Sequence, residues 1–264
     1  MPVTVISGSS PLILAVPHAS TDIPNAILGR MTEAGQAMMD TDWHVDRLVS
    51  GLVEDATIVR ANFHRYLCNA NADPRDLAKQ NLRAIVPAHT FNDQPIWRVW
   101  PEPREISRWT SAFHAPYHAA IAAQVARLRA MHGFALIVDC KASRSEVLSQ
   151  TSTEPPDITL RTFLGAGCNQ QLSAKVAGLL MQAKDYRTTI SERGDDASWT
   201  VQRHGQPKRH VQALQLVLRL STYLTEEADP WLYDPEKAEP LRHLIAHMLQ
   251  SLQEWRPNYA ASYI

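Results

Sequence analysis

The chain lacks a Cys-x-x-Cys pair, and its three cysteines, Cys68, Cys140 and Cys168, stand far apart. So odd and sparse a set fits a reducing compartment in which thiols are small core residues or bystanders. An excess of one charge is missing too: Lys+Arg 26 against Asp+Glu 27 leaves a formal charge of -1. That balance gives no electrostatic case for nucleic acid or a membrane surface as a partner. The short basic run Lys208-Arg209-His210 reads as solvated loop charge. No uncharged apolar stretch approaches the ~18 residues of a membrane span. The opening Met-Pro-Val-Thr-Val-Ile-Ser-Gly-Ser-Ser has neither the basic start nor the long apolar stretch of a signal peptide. The expectation is a cytoplasmic protein. There is no internal repeat and no low-complexity tract.

What is present fits a globular enzyme-sized chain. With 264 residues, 45% of them apolar, the chain suffices for one α/β domain over 1–264 and is short for two. Leu12-Ile-Leu-Ala-Val16 is a continuous apolar run of the kind buried on both faces of a sheet. It ends at Pro17-His18-Ala19-Ser20, which places His18 at the strand's carboxyl end. Helical patterning follows over Thr32–Met39 and Trp43–Val53. Strands are expected at Thr57–Arg60 and, shorter, at Arg65–Cys68.

Residues 69–104, rich in Pro, Asn, Asp and Arg, read as a long loop packed over strand ends. Ser107–Met131 is an amphipathic helix with Tyr117, Ile121, Val125 and Leu128 at helical spacing, and Gly133 stops it. The apolar strand Phe134–Asp139 follows, then a loop through Pro155-Pro156 and a helix over Gln171–Lys184. Thr188–Ile190 suits an edge strand, 191–210 a loop, Val211–Leu220 a strand, and Pro235–Trp255 a long helix. Strands alternating with helices predict an α/β fold with a mixed, mostly parallel sheet flanked by helices. Sites in such sheets form at the carboxyl ends of strands. His18, Asn69 to Asn71 and Asp139 to Ser143 converge there.

Several segments in order carry a family resemblance: Pro17-His18-Ala19-Ser20 with Ile23-Pro24, and Asp40-Thr-Asp-Trp-His-Val-Asp-Arg-Leu48. Arg65-Tyr66 leads into Asn69-Ala-Asn71, and Gln80-Asn81, Pro87, Thr90-Phe91 and Pro116-Tyr117-His118 come next. Arg144-Ser145, Gly205-Gln206-Pro207, Gln215-Leu216 and Thr222-Tyr223 complete the set. Together they resemble the N-formylglutamate amidohydrolase (deformylase) family of zinc-dependent hydrolases of linear amides. The resemblance implies a fold similar to zinc carboxypeptidases and aspartoacylases, and a place in histidine degradation. It also implies zinc polarising the formyl carbonyl and acidifying a bound water, with a Glu moving the proton to the leaving nitrogen.

The site implied by the resemblance is altered position by position. His18 matches the first metal ligand and Asp42 the carboxylate candidate, with Asp46 four residues on. The second ligand His, in the family's Asp-x-His-Ser, is Lys141, and the Glu of Gln-Leu-Glu is Val217. The family's substrate-gripping Asp-x-Asn-Arg reads Asn69-Ala70-Asn71-Ala72, so Asn69 and Asn71 remain as substrate-binding candidates. More loosely, Arg203 falls in the family's Arg-His-Tyr-Gly segment and joins them, while Lys-Gly-Gly becomes Asp196-Ala197-Ser198 and Asn-Leu-Gly-Thr becomes Thr159-Leu160-Arg161-Thr162.

A protonated amine has no lone pair for a cation, so Lys141 is expected to take the metal's place and pair with Asp42 or Asp139. Val217 has no proton to move, and Ala72 offers no fork for a carboxylate. No confident catalytic residue remains and no cofactor is expected; zinc or another divalent metal enters only if the site works.

The residues also admit plainer readings. His18 could be a hydrogen-bonded turn histidine, and His44 a helix-surface or supporting residue. His118 packs and hydrogen-bonds within the long helix, Asp139 holds Lys141 or caps a loop, and Cys140 is a buried structural thiol because neighbours on a strand face opposite ways. Three functions stay open: a non-catalytic or repurposed family member using the cleft to bind a small carboxylated ligand or a protein partner; an active amidohydrolase using Asp139, His18 and Asp42 on a metal with His204 or Glu192 as base; or a structural subunit that pairs with another protein such as an active paralogue.

Overall fold

The computed structural model describes residues 1–75, 84–149, 155–163, 165–191 and 198–257. Seven strands make one sheet: β1 (Val3–Ile6), β2 (Leu12–Val16), β3 (Thr57–Ala61), β4 (Ala135–Ser143), β5 (Ile158–Arg161), β6 (Thr188–Ser191) and β7 (Val211–Arg219). Their order is β1-β3-β2-β4-β7-β5-β6. The central pairs β3/β2, β2/β4 and β4/β7 are parallel, as is β5/β6, whereas β1 runs against β3 and β5 against β7. The helices are α1 (Asn25–Leu28), α2 (Glu33–Gln36), α3 (Val45–Val49), α4 (Pro103–Trp109), α5 (Ala115–His132), α6 (Ser145–Ser149), α7 (Gln170–Leu180), α8 (Trp199–His204) and α9 (Pro235–Glu254). The mixed, mostly parallel α/β architecture is the one the sequence predicts.

Strand periodicity splits the core into two layers. Leu136, Val138 and Cys140 of β4 pack with Leu48 of α3, Val176 of α7 and Leu241, Ile245 and Leu249 of α9. The intervening Ala135 and Ile137 face the other way, against Ile106, Trp109, Tyr117 and Ile121. All five residues of β2 are buried because helices cover both faces, which explains a strand with no polar alternation. Cys140 is therefore a core residue, its thiol pushed up by burial.

The long helix expected from Ser107 runs from Pro103 to His132, interrupted by a π-helical segment over Thr110–His114. That wider turn immediately precedes Pro116, whose ring clashes with the carbonyl of residue 112 in an uninterrupted α-helix. Gly133 ends the helix at φ 79°, the left-handed conformation glycine adopts freely.

Other boundaries differ from expectation. Arg65–Cys68 is a turn, not a strand: Leu67 and Cys68 N–H donate to the His64 carbonyl at 3.0 and 3.2 Å, and Tyr66 N–H to His64 Nδ1 at 3.1 Å. Those amides are already satisfied, so none is left for a ladder. The helices expected at Thr32–Met39 and Trp43–Val53 shrink to α2 and α3, and β4 runs four residues past Asp139. β1 and β5 arise where no element was expected and α8 where a loop was; each has six residues or fewer, too few to show a period.

α8 lies close against β7 across two glycines. A Cβ on Gly167 would meet the Ala213 carbonyl oxygen at 2.7 Å and Val201 Cγ1 at 2.9 Å; one on Gly205 would meet the Val201 carbonyl oxygen at 2.7 Å. Gly167→Ala must push α8 off the strand and is expected to cost about 1–3 kcal/mol, read as a lowered denaturant midpoint. An unchanged midpoint would show that α8 is not held by this contact.

Candidate functional site

Along the inner face of β4 the series Ala135, Ile137 turns polar at Asp139 and Lys141, while the opposite face stays apolar. That switch places two charges at the carboxyl end of the central strand. Asp139 is fully buried and accepts from Asn71 Nδ2 at 3.1 Å and Gln215 Nε2 at 3.0 Å. Lys141 Nζ stands 3.9 Å from Asp139 Oδ2, an ion pair without a hydrogen bond. Registers Asp139↔Gln215 and Lys141↔Val217 put each pair on one face, so the β7 residue opposite Lys141 is aliphatic.

Asn71 is oriented from both ends. Its carbonyl oxygen accepts from Thr200 N at 3.1 Å and Thr200 Oγ1 at 2.6 Å, at the first turn of α8, which leaves its N–H groups for Asp139. The backbone on either side is pinned by histidines of the long helix. His118 Nε2 donates to the Ala70 carbonyl at 2.8 Å and His114 Nε2 to the Ala72 carbonyl at 3.0 Å. A carbonyl only accepts, so the Nε2 atoms carry the protons, and His118 Nδ1 accepts from His204 Nε2 at 3.0 Å. Burial first, then neighbouring positive charge, pushes His118 down to about 2 and His204 down to about 4, so the stack is neutral. His118 thus binds across elements, not within its own helix, and His204 is committed to it.

His18 follows β2. Its Nε2 lies 2.9 Å from Asn69 Oδ1, which also accepts from the Asn71 N–H at 3.0 Å. Because that oxygen only accepts, the proton is on Nε2 and the Nδ1 lone pair points at Asp42 Oδ2, 3.7 Å away. Neither atom has another partner, and both are buried. A backbone bond from Asp42 N to the His18 carbonyl, 3.0 Å, holds the two together. Burial raises the Asp42 carboxyl to about 7 against the pull of Arg65 and Lys141. His18 is held well below the ordinary imidazole value, by burial first and then by the same two cations. Lys141 is lowered by burial despite Asp139 and Asp42.

The structure therefore gathers His18, Asp42, Asn69, Asn71, Asp139 and Lys141, with Val217 beside Lys141. It does not gather the rest. Arg203 is exposed on α8 and bonds to none of them. Asp46 does not share a helical turn with Asp42, which precedes α3; it pairs with Arg60 at 2.7 Å. His44 is neither a free surface residue nor a member of the site, since its Nε2 donates to the Trp231 carbonyl at 2.8 Å. Gln80, Asn81, Glu192, Asp196 and Ala197 lie outside the described residues. Among the described residues no three His, Cys, Asp or Glu side chains are grouped to hold a metal.

Sequence reasoning missed Gln215, Thr200 and Arg65 as members of the cluster. A glutamine inside the buried run Val-Gln-Ala-Leu-Gln-Leu was a visible signal for the first. Arg65 was visible only within the Arg65-Tyr66 motif, and nothing local marks Thr200.

The mixed α/β fold is shared with solved proteins. An N-formylglutamate amidohydrolase from Ralstonia eutropha JMP134 superposes with a TM-score of 0.76 at 21% identity, covering 96% of this chain and 97% of that one. A gene product of Agrobacterium tumefaciens gives 0.65 at 18%, covering 96% of each. In sequence, an N-formylglutamate deformylase of Pseudomonas aeruginosa is 33% identical over 96% of this chain and 97% of its own length. One from Pseudomonas putida is 29% identical over 94% of both. Residues 10–224 match the N-formylglutamate amidohydrolase family, and the chain belongs to it.

Proposed function

We propose that this family member uses its cleft to bind a small carboxylated ligand without metal-dependent hydrolysis. The observation that carries the reading is Lys141, an amine where the resemblance puts the second metal-binding imidazole, standing 3.9 Å from Asp139. Zinc needs three protein donors and an open position. His18 Nδ1 and Asp42 Oδ2 supply two; an ammonium supplies none and, with Arg65, repels a divalent cation. The donor set does not fit zinc, and we derive no step through it. Val217 leaves the expected position of the proton carrier aliphatic, which further supports binding over turnover.

One observation favours a second reading, an active amidohydrolase acting on N-formylglutamate or a related N-acyl amino acid. Two buried lone pairs converging without a partner are what two metal ligands look like. Incubating the purified chain with N-formyl-L-glutamate and excess zinc or cobalt, with formate followed by NMR, separates the two. No formate above the buffer rate is expected. Metal-dependent release that disappears in His18→Ala would establish the second reading and end the first.

A further inference from the structure

We propose that residues 225–232, in the connection between β7 and α9, form a hinged tongue that closes over the segment carrying Asp42 and over the end of β4, with Glu227 as its latch. The motion holds whatever the neighbouring cluster binds.

The tongue is built as a unit. Leu224 and Tyr233 form an antiparallel bridge at its neck, where Thr225 N–H donates to the Leu232 carbonyl and Asp234 N–H to the Tyr223 carbonyl, each at 2.9 Å. Lys237 of α9 fixes the neck, its Nζ donating to the Leu224 and Thr225 carbonyls at 3.0 and 3.2 Å. Beyond the neck every residue up to Leu232 is exposed except Glu227 and Trp231, and these two reach back to the body. Glu227 Oε1 accepts from Ser145 Oγ and from Ser221 N, both at 2.8 Å, and Oε2 accepts from Ser145 N at 2.7 Å. Ser145 lies just past β4 and Ser221 just past β7, so one carboxylate fastens the tongue to the ends of both strands. Trp231 is buried and stacks on Trp43, with ring centroids 5.3 Å apart and planes 9° apart, and its carbonyl accepts from His44 Nε2 at 2.8 Å. Trp43 and His44 directly follow Asp42. The closed tongue therefore joins the chain shortly beyond Lys141 to the chain beside Asp42.

Closure is held against strain. His44 and Trp231, joined by that hydrogen bond, are both left-handed, at φ 57° and 54°, a region that residues with a Cβ enter at a cost. The Trp43 indole N–H is buried with no hydrogen-bond partner, and water satisfies it once the tongue lifts. Against these costs stand the charge-assisted bonds of Glu227. An exposed tip fastened by one carboxylate and one strained aromatic contact opens locally, ahead of the sheet.

Hydrogen exchange followed by mass spectrometry on the purified full chain at pH 7 reads the opening, and brief labelling with acetic anhydride reads the access it gives to Lys141. In the unaltered chain the amides of Thr225 and Trp231, although hydrogen-bonded to the Leu232 and Ala228 carbonyls, should exchange well ahead of those of β2. Glu227→Gln turns an amide NH2 toward one of the serine donors. Exchange over residues 225–233 should then rise roughly tenfold to a hundredfold, the worth of hydrogen bonds to a charged group, with β2 unchanged. Acetylation of Lys141 should rise with it, whereas that of the exposed Lys184 should stay level. Trp231→Leu, which removes the stack and keeps the latch, should show the same pattern and serves if Glu227→Gln does not fold. Tongue amides that exchange only as slowly as β2, a variant that speeds exchange equally along the whole chain, or Lys141 labelling that stays level while the tongue opens each overturns the inference.

Discussion

Lowering the pH from 6 to 4.5 is expected to unfold this protein outright. Burial, the first cause in each case, holds five histidines below their ordinary 6.5: His64 at about 3, His118 at about 2 and His204 at about 4, with His18 and His114 also lowered. An unfolded chain takes up a proton at each of them as the pH falls through 6.5, and the folded chain does not. Stability from a depressed histidine is therefore present above the unfolded value and lost on acidification. Asp42 works in the opposite sense: raised to about 7, it binds a proton in the folded state that the unfolded chain releases down to about 3.8, so it gains stability over the same window. The four imidazoles lowered furthest, His18, His64, His118 and His204, against Asp42 leave about three protons, at about 1.4 kcal/mol per proton and pH unit. The slope of roughly 4 kcal/mol per unit uses up the lower part of a typical stability of 5–15 kcal/mol within one or two units. Far-ultraviolet circular dichroism against pH should show a cooperative transition near pH 5. A chain still native at pH 4 would mean that these imidazoles are hydrated or charged in the fold.

The second large effect is expected from Asp139→Ala. Asp139 is fully buried, and its removal strands Asn71 Nδ2, Gln215 Nε2 and the Lys141 ammonium at once. Breaking a buried pair from one side costs about 3–5 kcal/mol, which for a chain of this length lowers the melting temperature by about 10 °C. The double variant Asp139→Ala with Lys141→Met should recover part of the loss, because no charge is then left unpaired. Equal melting temperatures for the single and double variants would show that Lys141 is not held by Asp139. The comparison thus weighs the ammonium as a structural replacement for a cation, independently of any ligand.

Much of this was legible in the sequence where the pattern was long. Leu12–Val16 and Phe134–Asp139 announced buried parallel strands, and the polar residues at their ends announced the site. Asp139 and Lys141 two apart, with Cys140 between, already placed the charges on one face and the thiol on the other. The short elements were not legible: α8 has six residues, yet it carries Thr200, which orients Asn71. Nor was the histidine stack, since His114 and His118 meet His204 only through the folding of α8 against the long helix. Arg65 was visible as part of a motif, but its place over the Phe91 ring is a property of the folded chain and of no local pattern.

Zinc per chain, counted by mass spectrometry on protein purified without chelator and dialysed against metal-free buffer, is the most direct check. A repurposed cleft with Lys141 at the imidazole position should retain far less than one equivalent, and added zinc should dialyse away. One equivalent of zinc surviving dialysis, and released by His18→Ala, would contradict it.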